Sequence, residues 1–288
     1  MSEIRNVAVI GAGTMGHGIA YAACLAGYPV AITDADVGTL ERGESRIRSA
    51  FDKAVERGKC TAIERETGLN RLSCLSTPAE AVIEADLVIE AIPEQLELKQ
   101  RLFASIEDVV TPRTIFASNT SSLSISAIAS VLTHRDRLLG MHFFNPVPVM
   151  KLVEIVSGAE TADAVVGAAQ RFAVSLGKTP IVVKDSPGFA SSRLGVVLGL
   201  EAMRMFEQGV ASAEDIDRAM ELGYNHPVGP LKLTDLVGLD VRLAIADHLH
   251  TTIGGDTYRA PELLRRMVAD GKLGKKSGQG FYRWENDG

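Results

Sequence analysis

Cysteine is scarce in this 288-residue chain. Cys24, Cys60 and Cys74 are odd in number and share no paired spacing. That excludes a disulfide scaffold and any CxxC metal or redox motif, and it predicts a reducing, cytoplasmic setting with no bound metal. Basic excess is also lacking. Thirty Lys and Arg stand against 36 Asp and Glu, a net charge of −6, which argues against a nucleic-acid binder. Repeats and low-complexity segments are absent. Between Asn6 and Thr33 there is no Asp, Glu, Lys or Arg at all. Such a gap can signal a membrane span, but glycines at 11, 13, 16, 18 and 27 interrupt it. The opening Met1-Ser2-Glu3-Ile4-Arg5 is mixed in charge and unlike the basic start of a leader peptide. The uncharged stretch therefore reads as a buried strand–helix–strand unit, covered on both faces.

Strand-like runs are expected at Asn6–Ile10, Val30–Thr33, Leu72–Leu75, Leu87–Ala91, Thr114–Ala117, Leu138–Phe143, Leu152–Val156 and Ile181–Val183. Helical patterns at Thr14–Ala26, Asp36–Arg57, Pro93–Val109 and Thr161–Leu176 alternate with them. This alternation predicts an α/β fold, a Rossmann-like, mostly parallel sheet with helices on both faces. Beyond Lys184-Asp-Ser-Pro-Gly188 the strand signal stops, and helical patterns run to Val268. Two domains are expected: residues 1–186 binding a dinucleotide and residues 187–288 all helical. A helical unit that small suits burial of its apolar faces against a partner subunit. The Gly271–Tyr282 string reads as a solvated tail.

The first strand runs into Gly11-Ala-Gly13-Thr14-Met15-Gly16 and then directly into a helix. Gly11 allows the tight turn, Gly13 lets the backbone approach a pyrophosphate, and Gly16 permits close helix–strand packing. The amides that open the helix would meet the phosphates. Asp34 ends the second strand, where a carboxylate can hold both ribose hydroxyls and repel a 2′-phosphate. No arginine stands beside it in sequence, so NAD is favoured over NADP. Asp36 could instead be the ribose ligand, or could simply cap the next helix.

His142 ends one apolar strand, and Glu154 lies among Leu152, Val153, Ile155 and Val156 in the next. An acid in such a run is expensive to bury unless something pairs with it. A histidine braced by that acid is suited to moving one proton near neutral pH. Ser118-Asn-Thr-Ser121-Ser-Leu adds hydroxyls after the fifth strand. Thr120, Ser121 or Ser124 could cap a helix there, and another could face the ligand crevice. His248 and His250 lack a third ligand and read as part of a surface helix.

Together these motifs resemble the short-chain L-3-hydroxyacyl-CoA dehydrogenases, especially the 3-hydroxybutyryl-CoA type. The resemblance is carried by the Gly11 loop, Glu90-Ala-Ile-Pro-Glu94-Gln-Leu-Glu-Leu-Lys99, Ser118–Leu123, Gly140–Ile155, Pro187-Gly-Phe189, Gly229-Pro-Leu and Gly274–Tyr282, and it covers essentially the whole chain. It implies a Rossmann-like part and a helical dimerising part, and hence a homodimer. It implies NAD(H)-dependent interconversion of (S)-3-hydroxyacyl-CoA and 3-ketoacyl-CoA in fatty acid metabolism. His142 would be the base, Glu154 its orienting acid, and Ser121 a contact to the reacting oxygen. Thr14, Met15, Glu94, Lys99, Asn145 and Lys276 would touch NAD, and Lys53 the CoA phosphates. The family usually has Asn where Ser192 stands, so Ser192 is a catalytic or substrate contact with one hydroxyl in place of an amide. Two rival readings are a dehydrogenase of a small hydroxy acid or sugar acid such as gulonate, and a non-catalytic, crystallin-like NAD-binding protein.

Overall fold

The computed structural model describes residues 3–285. The chain divides into two compact units, Met1–Ser186 and Pro187–Gly288. In the first, the strands are β1 (Val7–Ile10), β2 (Val30–Thr33), β3 (Leu72–Cys74), β4 (Leu87–Glu90), β5 (Ile115–Ser118), β6 (Leu138–Phe143), β7 (Leu152–Ser157) and β8 (Thr179–Lys184). The helices are α1 (Gly16–Leu25), α2 (Val37–Glu56), α3 (Ala62–Leu69), α4 (Pro78–Val82), α5 (Leu96–Glu107), α6 (Ile125–Ala129) and α7 (Asp163–Ser175). All eight expected strands form, in one sheet of order β3-β2-β1-β4-β5-β6-β7-β8. Every pairing is parallel except β6 with β7. The expected mostly parallel, Rossmann-like α/β sheet is therefore observed.

The uncharged stretch from Asn6 to Thr33 forms β1, α1 and β2, and more than half of it is buried. No helix among the described residues is long and apolar enough to cross a membrane. On α2 the buried residues Gly43, Ile47, Phe51 and Ala54 recur at helical spacing and turn one face to the core. Phe51 is fully buried and meets Tyr21 edge-on at 4.7 Å. Burial of such a ring stabilises the fold by about 1.5–3 kcal/mol. Helices α3, α4 and α6 were not expected from periodicity. They span eight, five and five residues, too short to develop it. Thr61 with Glu64, and Thr77 with Glu80, form capping boxes that open α3 and α4.

The second unit contains α8 (Ser191–Glu207), α9 (Ala213–Gly223), α10 (Pro230–Val237), α11 (Leu239–Ile253) and α12 (Glu262–Ala269). Val196, Leu200, Met203, Leu231, Leu249 and Leu264 are among its core residues. The tail string is docked on this core. Asp235 accepts hydrogen bonds from the amides of Phe281 and Tyr282, each at 2.9 Å, and from Trp284 Nε1 at 2.8 Å. Asp217 accepts from the Tyr282 hydroxyl at 2.7 Å and also from the Leu231 and Lys232 amides that open α10. Two buried carboxylates thus hold a glycine-rich segment that composition alone reads as solvated.

Candidate active site

The carboxyl ends of β2, β1, β4 and β5 lie in register, and β6 runs three residues past them to Phe143. Thr33 pairs with Ile10, Ile10 with Glu90, Glu90 with Ser118, and Ser118 with Gly140. Whatever follows these residues is presented along one edge. Strand order reverses between β1 and β4, the place where open α/β sheets hold ligands.

At that edge Gly11 has φ +101°, and a Cβ there would lie 2.6 Å from the Ala91 carbonyl oxygen. A Cβ on Gly16 would collide with the Gly11 carbonyl, whereas nothing lies within 4 Å of one built on Gly13. The loop is thus closed toward the protein and open where a pyrophosphate is expected. No side chain caps the start of α1, which leaves that end open to an anion, although the His17 amide already meets the Gly13 carbonyl at 3.3 Å. Asp34 accepts from the Ala12 amide at 2.8 Å and from the Asp36 amide at 3.0 Å. Asp36 caps α2 through the Thr39 amide at 2.7 Å and lines the same cavity as Asp34. Gly11, Gly13, Thr14, Met15 and Asp34 line a cavity of about 860 Å³ with Ile92, Leu98 and Arg101. Its chemistry and size fit a dinucleotide.

Beside it, Lys99 is fully buried and bridges two carboxylates, Glu90 at 2.6 Å and Glu94 at 3.3 Å. Glu90 also accepts from Ser118 Oγ at 2.6 Å and the Ile92 amide at 2.8 Å. Burial pushes Glu90 above the usual carboxylate range, despite these donors. Burial acts on Glu94 in the same direction, but hydrogen bonds from Thr120, Lys99 and Ser121 outweigh it and hold Glu94 below that range. Glu94 Oε1 gathers Thr120 Oγ1 at 2.6 Å, the Ser121 amide at 3.0 Å and Ser121 Oγ at 3.4 Å. Ser124 caps α6, so Ser121 is not used as a cap. Lys99 sits beneath Glu94 rather than on the surface of the cleft.

His142 and Glu154 are register partners in the antiparallel β6–β7 pairing, and residues directly opposite point to one face. His142 Nδ1 lies 2.7 Å from Glu154 Oε2, with both residues buried. A carboxylate only accepts, so Nδ1 donates to it, and in the neutral ring the lone pair lies on Nε2. Phe144 packs against the imidazole at 4.4 Å between centroids. Asn119, which follows β5, accepts from the Phe143 amide at 2.9 Å and ties the Ser121 loop to the histidine strand. Asn145 follows β6, is exposed, and is joined to Pro146 by a cis peptide bond. From β2 to β6 is four strand spacings, so Asp34 and His142 end strands roughly 19 Å apart along the edge.

A second cavity of about 640 Å³ lies against α1 and α2. Lys53 lines it together with Arg46, Arg57, Lys59 and Lys178. Of these, sequence reasoning singled out only Lys53. Arg46, Lys53 and Arg57 stand seven and four residues apart, two turns and one turn along the polar side of α2 and its C-cap, which is the signal that could have found the others. In the helical unit, Ser192 lies in the first turn of α8, and Lys276 is ion-paired with Asp240 of α11 at 2.6 Å.

A sheet that offers a dinucleotide cleft and a braced imidazole along one edge places the chain among the NAD-dependent dehydrogenases. The family model described as 3-hydroxyacyl-CoA dehydrogenase, NAD binding domain, matches residues 6–186, and the C-terminal domain of the same family matches 188–284. The probable 3-hydroxybutyryl-CoA dehydrogenase of Bacillus subtilis is 44% identical over 283 residues, 98% of each chain. The 3-hydroxyadipyl-CoA dehydrogenase of Escherichia coli is 43% identical over 285 residues, 99% of this chain and 60% of that protein. The crystal structure of (S)-3-hydroxybutyryl-CoA dehydrogenase from Ralstonia eutropha superposes with a TM-score of 0.94 at 41% identity, covering 99% of this chain and all of that one. The chain belongs to the 3-hydroxyacyl-CoA dehydrogenase family.

Proposed function

We propose that the protein interconverts (S)-3-hydroxyacyl-CoA and 3-ketoacyl-CoA, with 3-hydroxybutyryl-CoA as the substrate, and uses His142 as its acid/base. The observation that carries this reading is the His142–Glu154 rung, on the same sheet edge as the glycine loop. Gly11, Gly13, Thr14, Met15 and Gly16 hold the pyrophosphate, Asp34 the adenosine ribose, and Glu94, Asn145 and Lys276 the remainder of NAD. Lys99 acts on that region by fixing Glu94. NAD, when bound, supplies the hydride acceptor. In oxidation His142 Nε2 takes the proton of the 3-hydroxyl, while Ser121 holds the same oxygen. Glu154 stabilises the imidazolium so formed, as the carboxylate of a catalytic triad does. In reduction the proton returns along the same path. Ser192 gives the substrate one hydroxyl contact, and Lys53 and its basic neighbours take the CoA phosphates.

The relatives named for 3-hydroxybutyryl-CoA and for 3-hydroxyadipyl-CoA are 44% and 43% identical, so overall similarity does not choose the acyl group. A homodimer is supported by large apolar side chains on the helical unit, among them Leu222 and Tyr224, exposed by 83% and 76%. Three free cysteines support a cytoplasmic setting. The test is steady-state turnover of 3-oxoacyl-CoAs from four to sixteen carbons with NADH and NADPH. The proposal expects the highest kcat/KM with the four-carbon substrate and NADH. Oxidation of gulonate without turnover of any acyl-CoA, or no turnover at all, would contradict it.

A further inference from the structure

Helix α5 turns two different faces to its surroundings. One buries Lys99, Phe103 and Ile106. On the other, Leu98, Arg101, Leu102 and Ser105 line the cavity of about 860 Å³ that Asp34 and the glycine loop also line. Their spacing of three, one and three residues places them on one stripe of the helix. Arg101 is the one cation among the described residues of that cavity. Its side chain is exposed and, among the described residues, makes neither a hydrogen bond nor an ion pair. Glu97, four residues earlier, is the partner that its place on the helix offers, yet the pair does not form.

The two acids of the cavity are already engaged. Asp34 accepts from the Ala12 and Asp36 amides, and Asp36 from the Thr39 amide, the Thr39 hydroxyl and Arg42. Arg101 is therefore left for a ligand, beside the apolar surface of Ala35, Pro78, Leu98 and Leu102. The sequence shows no arginine next to Asp34, but the fold brings one to the same cavity from α5. Charge decides what it receives. Two carboxylates stand against one guanidinium, so a further anion such as a 2′-phosphate is repelled on balance. A flat, neutral base meets no such penalty. A guanidinium is itself planar and stacks on aromatic faces.

We propose that Arg101 stacks on the adenine of NAD and fixes the adenosine end of the coenzyme. The inference rests on the proposed placement of NAD in this cavity. Adenine is bonded directly to the ribose assigned to Asp34, so the base falls within the same space. The pyrophosphate has the glycine loop and the start of α1 for its charge. The face of the base is left to Arg101, with Leu98 and Leu102 on either side of it along α5.

The test measures dissociation constants for NADH, NADPH and ADP-ribose, by NADH fluorescence and its displacement. It uses the native protein, Arg101→Ala, Arg101→Lys and Asp34→Asn. Arg101→Ala should weaken NADH and ADP-ribose by the same factor, about 5–20-fold, because both carry adenosine. Arg101→Lys keeps the charge but loses the plane, and should still weaken NADH by at least about threefold. NADH binding within about twofold of native in Arg101→Ala would make Arg101 a solvated residue and overturn the proposal. Native binding in Arg101→Lys would make it a charge contact to phosphate. A loss confined to NADPH would make it a 2′-phosphate ligand, and a loss confined to NADH, sparing ADP-ribose, would place it at the nicotinamide. Each of these overturns the proposal as well. Asp34→Asn tests the placement of NAD separately. If it and Arg101→Ala both bind NADH as the native protein does, the coenzyme lies elsewhere. If Asp34→Asn alone loses affinity, only the role of Arg101 fails.

Discussion

His142 and Glu154 form one rung of the only antiparallel strand pairing among the described residues, with Nδ1 of the imidazole 2.7 Å from the carboxylate. They stand twelve positions apart in the chain, and the turn-back from β6 to β7 brings them onto one face. The glutamate fixes both the tautomer and the ring orientation. Glu154→Gln keeps the shape but loses the charge that stabilises an imidazolium. Its kcat should fall by about 10²–10⁴-fold, with the KM for NADH within threefold of native. Steady-state kinetics check this. A kcat within threefold of native would mean the carboxylate only fills space.

Lys99 is the cation between Glu90 and Glu94. Replacing it with Met strands Glu90 in an apolar strand and should destabilise the protein by about 3–5 kcal/mol. Adding Glu90→Gln removes the stranded charge and should recover part of that loss. Urea unfolding of both variants measures the difference. A double variant less stable than Lys99→Met alone would contradict the pairing.

Glu107 should confer pH-dependent stability. Burial acts to raise its pKa, but hydrogen bonds from the Thr133 and His134 amides and from Arg137 outweigh burial and hold it below the usual range. A folded pKa below the unfolded one gives stability that is present above the unfolded value, about 4.3, and is lost as pH falls through the folded value. Glu107→Gln should therefore melt lower than the native protein at pH 7, by a margin that closes below about pH 4. Melting curves from pH 7 to pH 3 read this. A margin that stays constant to pH 3 would assign the effect to packing.

Asp34 accepts from the Ala12 amide and lines the dinucleotide cavity. Asp34→Asn retains an acceptor but loses the charge that holds two ribose hydroxyls and repels a 2′-phosphate. The KM for NADH should rise by about tenfold or more, and that for NADPH should change by less than threefold, since a charged hydrogen bond is worth about 1.5–3 kcal/mol. Equal rises for both coenzymes would place the ribose elsewhere.

Much of this site is legible in the sequence because it rests on local rules. A strand followed by spaced glycines and a helix can fold few ways, and an acid inside Leu152–Val156 requires a partner. The same reasoning applied to Leu87-Val-Ile-Glu90 would have found the buried acid that anchors Lys99. Periodicity could not show α3, α4 or α6, which make fewer turns than a pattern needs. It also could not show that Gly271–Tyr282 is docked, since that depends on Asp217 and Asp235 being buried far away in sequence. The interior position of Lys99 escaped for a related reason. A lysine on an amphipathic helix reads as solvated unless two acids from other segments are known to converge on it.

The most direct measurement is NADH oxidation by His142→Gln with 3-oxobutyryl-CoA, alongside NADH binding followed by fluorescence. Glutamine holds the position but cannot carry the proton. Turnover should fall by at least about 10³-fold, with NADH affinity within threefold of native. Reduction at near-native rates by that variant would contradict the central assignment.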